Sequence, residues 1–105
     1  MKTIKVSDRY ECPGPRYVHL GRSSGEEFKK WLKRELDTDT ELTVDLDGTE
    51  GYGSSFLEEA FGGLIRDGID PEIVRNIKFI SDEEPELIDE IQEYIEEEVK
   101  KQESH

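Results

Sequence analysis

Apolar residues along this chain recur with two different periods. In Thr3-Ile4-Lys5-Val6 they alternate with polar ones, the period of a strand with one buried face. Arg16-Tyr17-Val18-His19-Leu20 reads as a second candidate strand. Leu42-Thr43-Val44-Asp45-Leu46 is the best strand in the chain and reads as a central one; Ile77-Lys78-Phe79-Ile80 is a further strand. Between them the period becomes helical. Phe28, Trp31, Leu32 and Leu36 fall on one face, and Phe56, Leu57, Ala60, Phe61, Leu64 and Ile65 on a wider one. From Pro85 onward, Leu87, Ile88, Ile91, Ile95 and Val99 mark an amphipathic final helix with an acidic outer face.

Short polar signals punctuate these runs. Ser24-Gly25-Glu26-Glu27 and Ser55-Phe56-Leu57-Glu58 both have the S-x-x-E spacing of a capping box. Asp70-Pro71 looks like an N-cap and first helical position for a short turn to Arg75. Cys12-Pro13-Gly14-Pro15 is a turn. Gly62-Gly63 costs helix stability, which is tolerable where a backbone packs closely on its neighbour. The order strand, strand, helix, strand, helix, strand, helix predicts an α/β fold: a single-layer mixed sheet of about four strands with helices packed on it. With no repeat and no linker, one domain is expected over residues 1–105, closing in an acidic C-terminal helix, 81–105, whose last residues fray.

Composition narrows the function. The 27 acidic and 14 basic residues leave a net charge of −13, so a generic basic grip on nucleic acid or an anionic membrane is not expected. The acid is concentrated after Ile80, and Lys and Arg lie mainly in the first half. A single cysteine, Cys12, cannot form an internal disulfide. With no long apolar run and no signal peptide, the expected location is the cytoplasm.

Asp45-Leu46-Asp47-Gly48-Thr49 spells the D-x-D-G-T of haloacid-dehalogenase-type phosphotransferases. There the first Asp attacks phosphorus, the second is general acid/base and Mg²⁺ neutralises the phosphate. Ile80-Ser81 mimics a strand-ending Ser that holds the phosphoryl group. The remaining parts are missing: only one helix follows Ser81, no later strand presents acidic ligands, and Lys100 and Lys101 lie near a frayed end. Phe56 stands where G-x-G-x-x-G after the strand needs its last glycine. Asp45-Leu46-Asp47-Gly48 breaks the EF-hand spacing, and His19, His105 and Cys12 make no zinc set. No catalytic residue, metal or cofactor is therefore expected.

Ser24 to Phe28, Val44 to Gly48 and Gly51-Tyr52-Gly53-Ser54-Ser55-Phe56-Leu57-Glu58-Glu59-Ala60-Phe61-Gly62-Gly63-Leu64 together resemble the STAS-like domain family of prokaryotic proteins known as DUF4325. Pro13-Gly14-Pro15-Arg16-Tyr17 fits its N-terminal part, so the resemblance covers nearly the whole chain. It implies a STAS-like fold without supplying an activity. The wider STAS relatives include anti-sigma-factor antagonists, which read D-L-S…D-S-S-G-L at the same strand, turn and helix. Asp45, Leu46, Ser54, Ser55 and Leu57 match that pattern, which places Ser55 where a partner kinase phosphorylates the antagonist. Gly53 and Phe56 depart from it, in place of an acidic residue and a glycine.

The resulting expectation is a non-enzymatic, protein-binding regulatory module. Its contact surface is Asp47, Gly51, Tyr52, Gly53, Ser54, Ser55 and Glu58, with Ser55 the candidate phosphorylation site. By resemblance, the partner is a kinase-like ATPase or anti-sigma-type regulator. A purely structural role for Ser55, as the cap partnered by Glu58, stays open beside it. One alternative is an acidic decoy whose final helix, with Glu90, Glu93 and Glu97, occupies a basic nucleic-acid-binding protein. Another is the Mg²⁺-dependent phosphotransferase using Asp45. The sequence leaves oligomeric state open. Phe56 is expected in the core.

Overall fold

The structure, a computed structural model, describes residues 2–10, 13 and 24–103. Strand β1 (Lys2–Lys5) runs into a single 3-10 turn (Val6–Asp8). Helix α1 (Gly25–Thr38) leads to β2 (Leu42–Asp45). The next helix, α2, is continuous but not uniform. Ser54–Leu57 is α-helical, Glu58–Gly62 is a π turn and Gly63–Arg66 is α-helical again. The short α3 (Pro71–Arg75), strand β3 (Lys78–Ile80) and helix α4 (Glu86–Glu103) complete the order.

The strands pair as β1-β2-β3 and both pairings are parallel, with Lys2 opposite Leu42 and Thr43 opposite Lys78. The expected mixed sheet of about four strands is therefore corrected to three parallel strands among the described residues. The expected strand Arg16–Leu20 lies outside them, as does Cys12. Parallelism follows from the connections, because a strand reached through a crossover helix returns in the same direction. Right-handed crossovers stepping the same way across a sheet place their helices on one face. Phe28 of α1 stacks on Phe56 of α2 with ring centroids 5.4 Å apart, so these two helices do share a face.

The cross-strand row Ile4–Val44–Phe79 points into that helical layer. The flanking rows, Thr3–Thr43–Lys78 and Lys5–Asp45–Ile80, point the other way. They are polar except for Ile80, which is 38% exposed. The first half of the chain keeps its expected core face, since Phe28, Trp31, Leu32 and Leu36 are all buried. Ser24 caps α1 by accepting from the Glu27 N–H at 3.1 Å, and Asp70 caps α3 by accepting from Glu72 N–H at 2.9 Å. The final helix begins at Glu86 and buries Leu87, Ile91, Ile95 and Val99. Residues 81–85, which the sequence pattern placed in the same acidic helix, form a loop instead.

Helix α2 lies between α1 and α4, and every residue from Phe56 to Ile65 except Glu58 is buried. Close packing explains the glycines. A Cβ on Gly25 would sit 2.5 Å from the Phe56 carbonyl oxygen, and one on Gly63 would sit 2.8 Å from Lys29 Cδ. The outer side of α2 is closed by ion pairs from both neighbours. Lys29 Nζ lies 2.9 Å from Glu59 and 3.1 Å from Asp67. Arg66 reaches Glu58 at 2.6 Å, Glu98 at 2.7 Å and Glu59 at 3.1 Å. Glu59 and Glu98 are buried, so each requires a cation to offset its lost hydration. Burial alone would lower the Lys29 pKa, but its bonds to Glu59 and Asp67 outweigh that and raise it.

The π turn serves this arrangement. Eight residues of α-helix turn through about 800°, leaving Glu58 and Arg66 roughly 80° apart around the axis. A π turn rotates less per residue, so it brings the two side chains back toward one side.

Candidate functional site

The segment from Leu46 to Ser55 crosses the C-terminal ends of β2 and β3. Its shape is set by side chains bonding to backbone. Asp45 Oδ1 accepts the Asp47 N–H at 3.0 Å, a turn that Asp favours. Both oxygens of Asp47 then reach the loop after β3: Oδ1 accepts from Glu83 N–H at 3.0 Å and Oδ2 from Asp82 N–H at 3.1 Å. Glu83 answers by accepting the Gly48 N–H on Oε1 at 2.6 Å. Gly48 has φ of 94°, and a Cβ there would lie 2.9 Å from Ser7 Oγ, so glycine is needed for both conformation and space. Tyr52 closes the segment on itself by donating its hydroxyl to the Leu46 carbonyl at 2.7 Å. Burial, reinforced by Asp45, Asp47 and Glu83, raises the Tyr52 pKa well above its usual value against a bond to Thr49 that lowers it. The phenol is therefore a fixed donor at any physiological pH.

These bonds give the acidic residues of D-x-D-G-T a structural role. Asp47 has both oxygens committed to backbone N–H groups, which is the work of a loop clamp. Ser81 donates to the Glu84 carbonyl at 2.6 Å and is buried, so it stabilises its own turn. No group of three or more His, Cys, Asp or Glu able to hold a metal occurs among the described residues. Lys5, the cross-strand partner of Asp45, is a nearby cation that sequence spacing could not reveal.

The serines are placed differently from the capping-box expectation. Helix α2 starts at Ser54, with Gly53 as N-cap and no side-chain capping bond. Ser55 is thus inside the first turn and does not cap it. The predicted partner, Glu58, is taken by Arg66, whose Nη1 and Nη2 donate to its two oxygens at 2.6 and 3.1 Å. A two-pronged guanidinium–carboxylate bond outcompetes a single bond to an exposed N–H. Ser54 and Ser55 are both exposed. The Ser55 hydroxyl has no hydrogen-bond partner among the described residues.

Of the sequence-derived site, Asp47, Gly51 and Tyr52 line one cleft of about 190 Å³ together with Glu50 and Glu83. Gly53, held by donating to the Pro13 carbonyl at 3.0 Å, joins this loop to the exposed serines. Glu58, half-buried, is engaged by Arg66. Phe56, the other departure from the antagonist pattern, is fully buried. Its ring stacks on Phe28 and meets Tyr10 edge-on at 5.8 Å.

A family of known sequences matches residues 24–87, from the cap of α1 to the first buried residue of α4. Its description is a STAS-like domain of unknown function, DUF4325. The chain belongs to this family. The STAS-like match covers the loop, both serines and the two glycines of α2 in one span, and at a coarse level it fits a regulatory module. No curated protein and no solved structure matches the chain. No helix among the described residues is long and apolar enough to cross a membrane.

Proposed function

We propose that this STAS-like domain is a non-enzymatic regulatory module that binds a protein partner through the 47–53 loop and the start of α2. The observation that carries the reading is the state of Ser55. It is exposed, its hydroxyl is unengaged among the described residues, and the loop before it is held rigid by Asp47, Glu83 and Tyr52. A rigid surface loses little entropy on binding. A phosphate on Ser55 would add close to two negative charges to that surface without disturbing a cap. The partner proposed is a kinase-like ATPase or anti-sigma-type regulator, and Ser55 is the residue it would modify. Support comes from the STAS-like family, whose members are generally non-catalytic, and from the match of Ser54 and Ser55 to the serine pair of antagonists.

The test is capture from a lysate of the source cells on immobilised wild type, Ser55→Ala and Ser55→Glu, at two salt concentrations. The expected result is one ATPase-like protein held by wild type and Ser55→Ala, resistant to salt and lost with Ser55→Glu. Incubating it with wild type and ATP should place phosphate on Ser55. Equal binding to all three baits, or binding only of basic proteins that salt removes, would overturn the reading and favour the acidic-decoy function for α4.

A further inference from the structure

A larger cleft opens at the opposite ends of the strands. It encloses about 590 Å³, within the roughly 300–1,000 Å³ of sites for small organic molecules. Its lining comes from the turn into β2 (Thr40 to Thr43), from α3 (Glu72, Ile73 and Asn76) and from Lys78 at the start of β3. Thr43 and Lys78 are direct cross-strand partners, so a hydroxyl and an ammonium project side by side from one face of the sheet. Among the described residues Lys78 makes no ion pair, and the Asn76 amide and the Thr40 and Thr43 hydroxyls make no hydrogen bond. Arg75, between the lining residues Glu72 and Asn76, contrasts with this: its guanidinium bonds Glu96 at 2.9 Å and also reaches Glu72 at 3.5 Å.

The chemistry of the lining selects a ligand. Lys78, Asn76 and the two threonines supply donors that suit a carboxylate. Glu41 and Glu72 supply two carboxylates that suit an ammonium. With Arg75 beside Glu72, the cleft carries both signs: a simple anion would face the carboxylates of Glu41 and Glu72, and a simple cation would face Lys78. The half-buried Ile73 and buried Leu42 provide an apolar floor between these groups. We propose that this cleft binds a small zwitterion with an apolar body, an α-amino acid or the equivalent end of a short peptide. This site lies apart from the serine surface and does not rest on the regulatory reading.

The test is a heteronuclear NMR titration of the full chain with leucine and glycyl-leucine, each beside N-acetyl-leucine and leucinamide, which lack one charge apiece. The expected result is saturable shifts centred on the amides of Thr40, Thr43, Asn76 and Lys78. Removing either ligand charge, or introducing Lys78→Met or Glu72→Gln, should weaken binding about fivefold, the size of one well-formed exposed ion pair. Both substitutions lie at exposed positions, and an otherwise unchanged spectrum confirms the fold. Shifts that grow linearly without saturating, or that persist unchanged with the blocked ligands or in both variants, would overturn the proposal.

Discussion

Asp47 and Glu83 hold each other's backbone. The Asp47 carboxylate accepts the N–H of Glu83, and the Glu83 carboxylate accepts the N–H of Gly48, the residue after Asp47. The loops that follow β2 and β3 are thereby fastened at two points. Asp47→Ala removes two charged hydrogen bonds at once and is expected to destabilise the fold by about 2 kcal/mol. Denaturant unfolding measures the loss. Faster hydrogen exchange at the Asp82 and Glu83 amides would localise it, and unchanged exchange there would refute the clamp.

Asp47 also marks the limit of what sequence could show. Its spacing from Asp45 and the glycine after it suggested either catalysis or a turn. The deciding partners are backbone N–H groups on another loop, which carry no side-chain signature. The Ser55–Glu58 spacing misled for a related reason: the competitor for Glu58 is Arg66, and the π turn that brings Arg66 round leaves no mark on the apolar pattern. The elements with strong periodicity were legible. The helix caps at Ser24 and Asp70, the central place of β2 and the buried stripe of α4 all depend on neighbours a few residues away or on a repeated pattern. The parallel orientation follows from the helices between the strands, which the apolar pattern showed; the sequence pattern did not reveal the strand order.

Arg66 is expected to be the most sensitive exposed cation. It neutralises Glu58 and the buried Glu59 and Glu98 together. Arg66→Met leaves Glu58 and the buried Glu98 without this cation, while Glu59 keeps Lys29, and should cost about 3 kcal/mol. Adding Glu98→Gln to it should recover part of that loss. A double-mutant cycle by chemical denaturation tests the coupling, and simple additivity would argue against it.

The glycines should separate by what surrounds them. Gly25→Ala drives a methyl against the Phe56 backbone carbonyl, which cannot step aside. It should destabilise by about 1–3 kcal/mol despite the better helix propensity of alanine. At Gly62 the obstructing atom is Glu58 Oε2, the far end of a side chain, at 2.8 Å. Gly62→Ala should therefore lie within about 1 kcal/mol of wild type. Thermal unfolding of the two variants side by side distinguishes a backbone contact from a side-chain one.

Acid should weaken the α1–α2 contact. Burial tends to raise the pKa of Asp67, but its bonds to Lys29 and Lys33 prevail and hold it below the usual 3.8. A carboxylate with a depressed folded-state pKa contributes stability that is complete above the unfolded value. That contribution fades as pH falls through the folded value. The wild-type advantage over Asp67→Asn should thus be constant near neutrality and shrink progressively below about pH 4. Unfolding free energies measured across that range supply the check; an advantage that grows in acid would reverse the sign and refute it.

The parallel sheet imposes an order of assembly. None of the three described strands finds its neighbour by a local reversal, because Lys2 faces Leu42 and Thr43 faces Lys78. During synthesis the β1–β2 pairing must wait until β2 has been made, and the β2–β3 pairing until β3 emerges. Contacts so distant along the chain carry the entropy of closing long loops before they return any stabilisation. Helices α1 and α2, with their rings stacked and Gly25 against Phe56, offer the earlier meeting point. Folding should therefore begin in the helical layer, which then acts as the template on which the strands align.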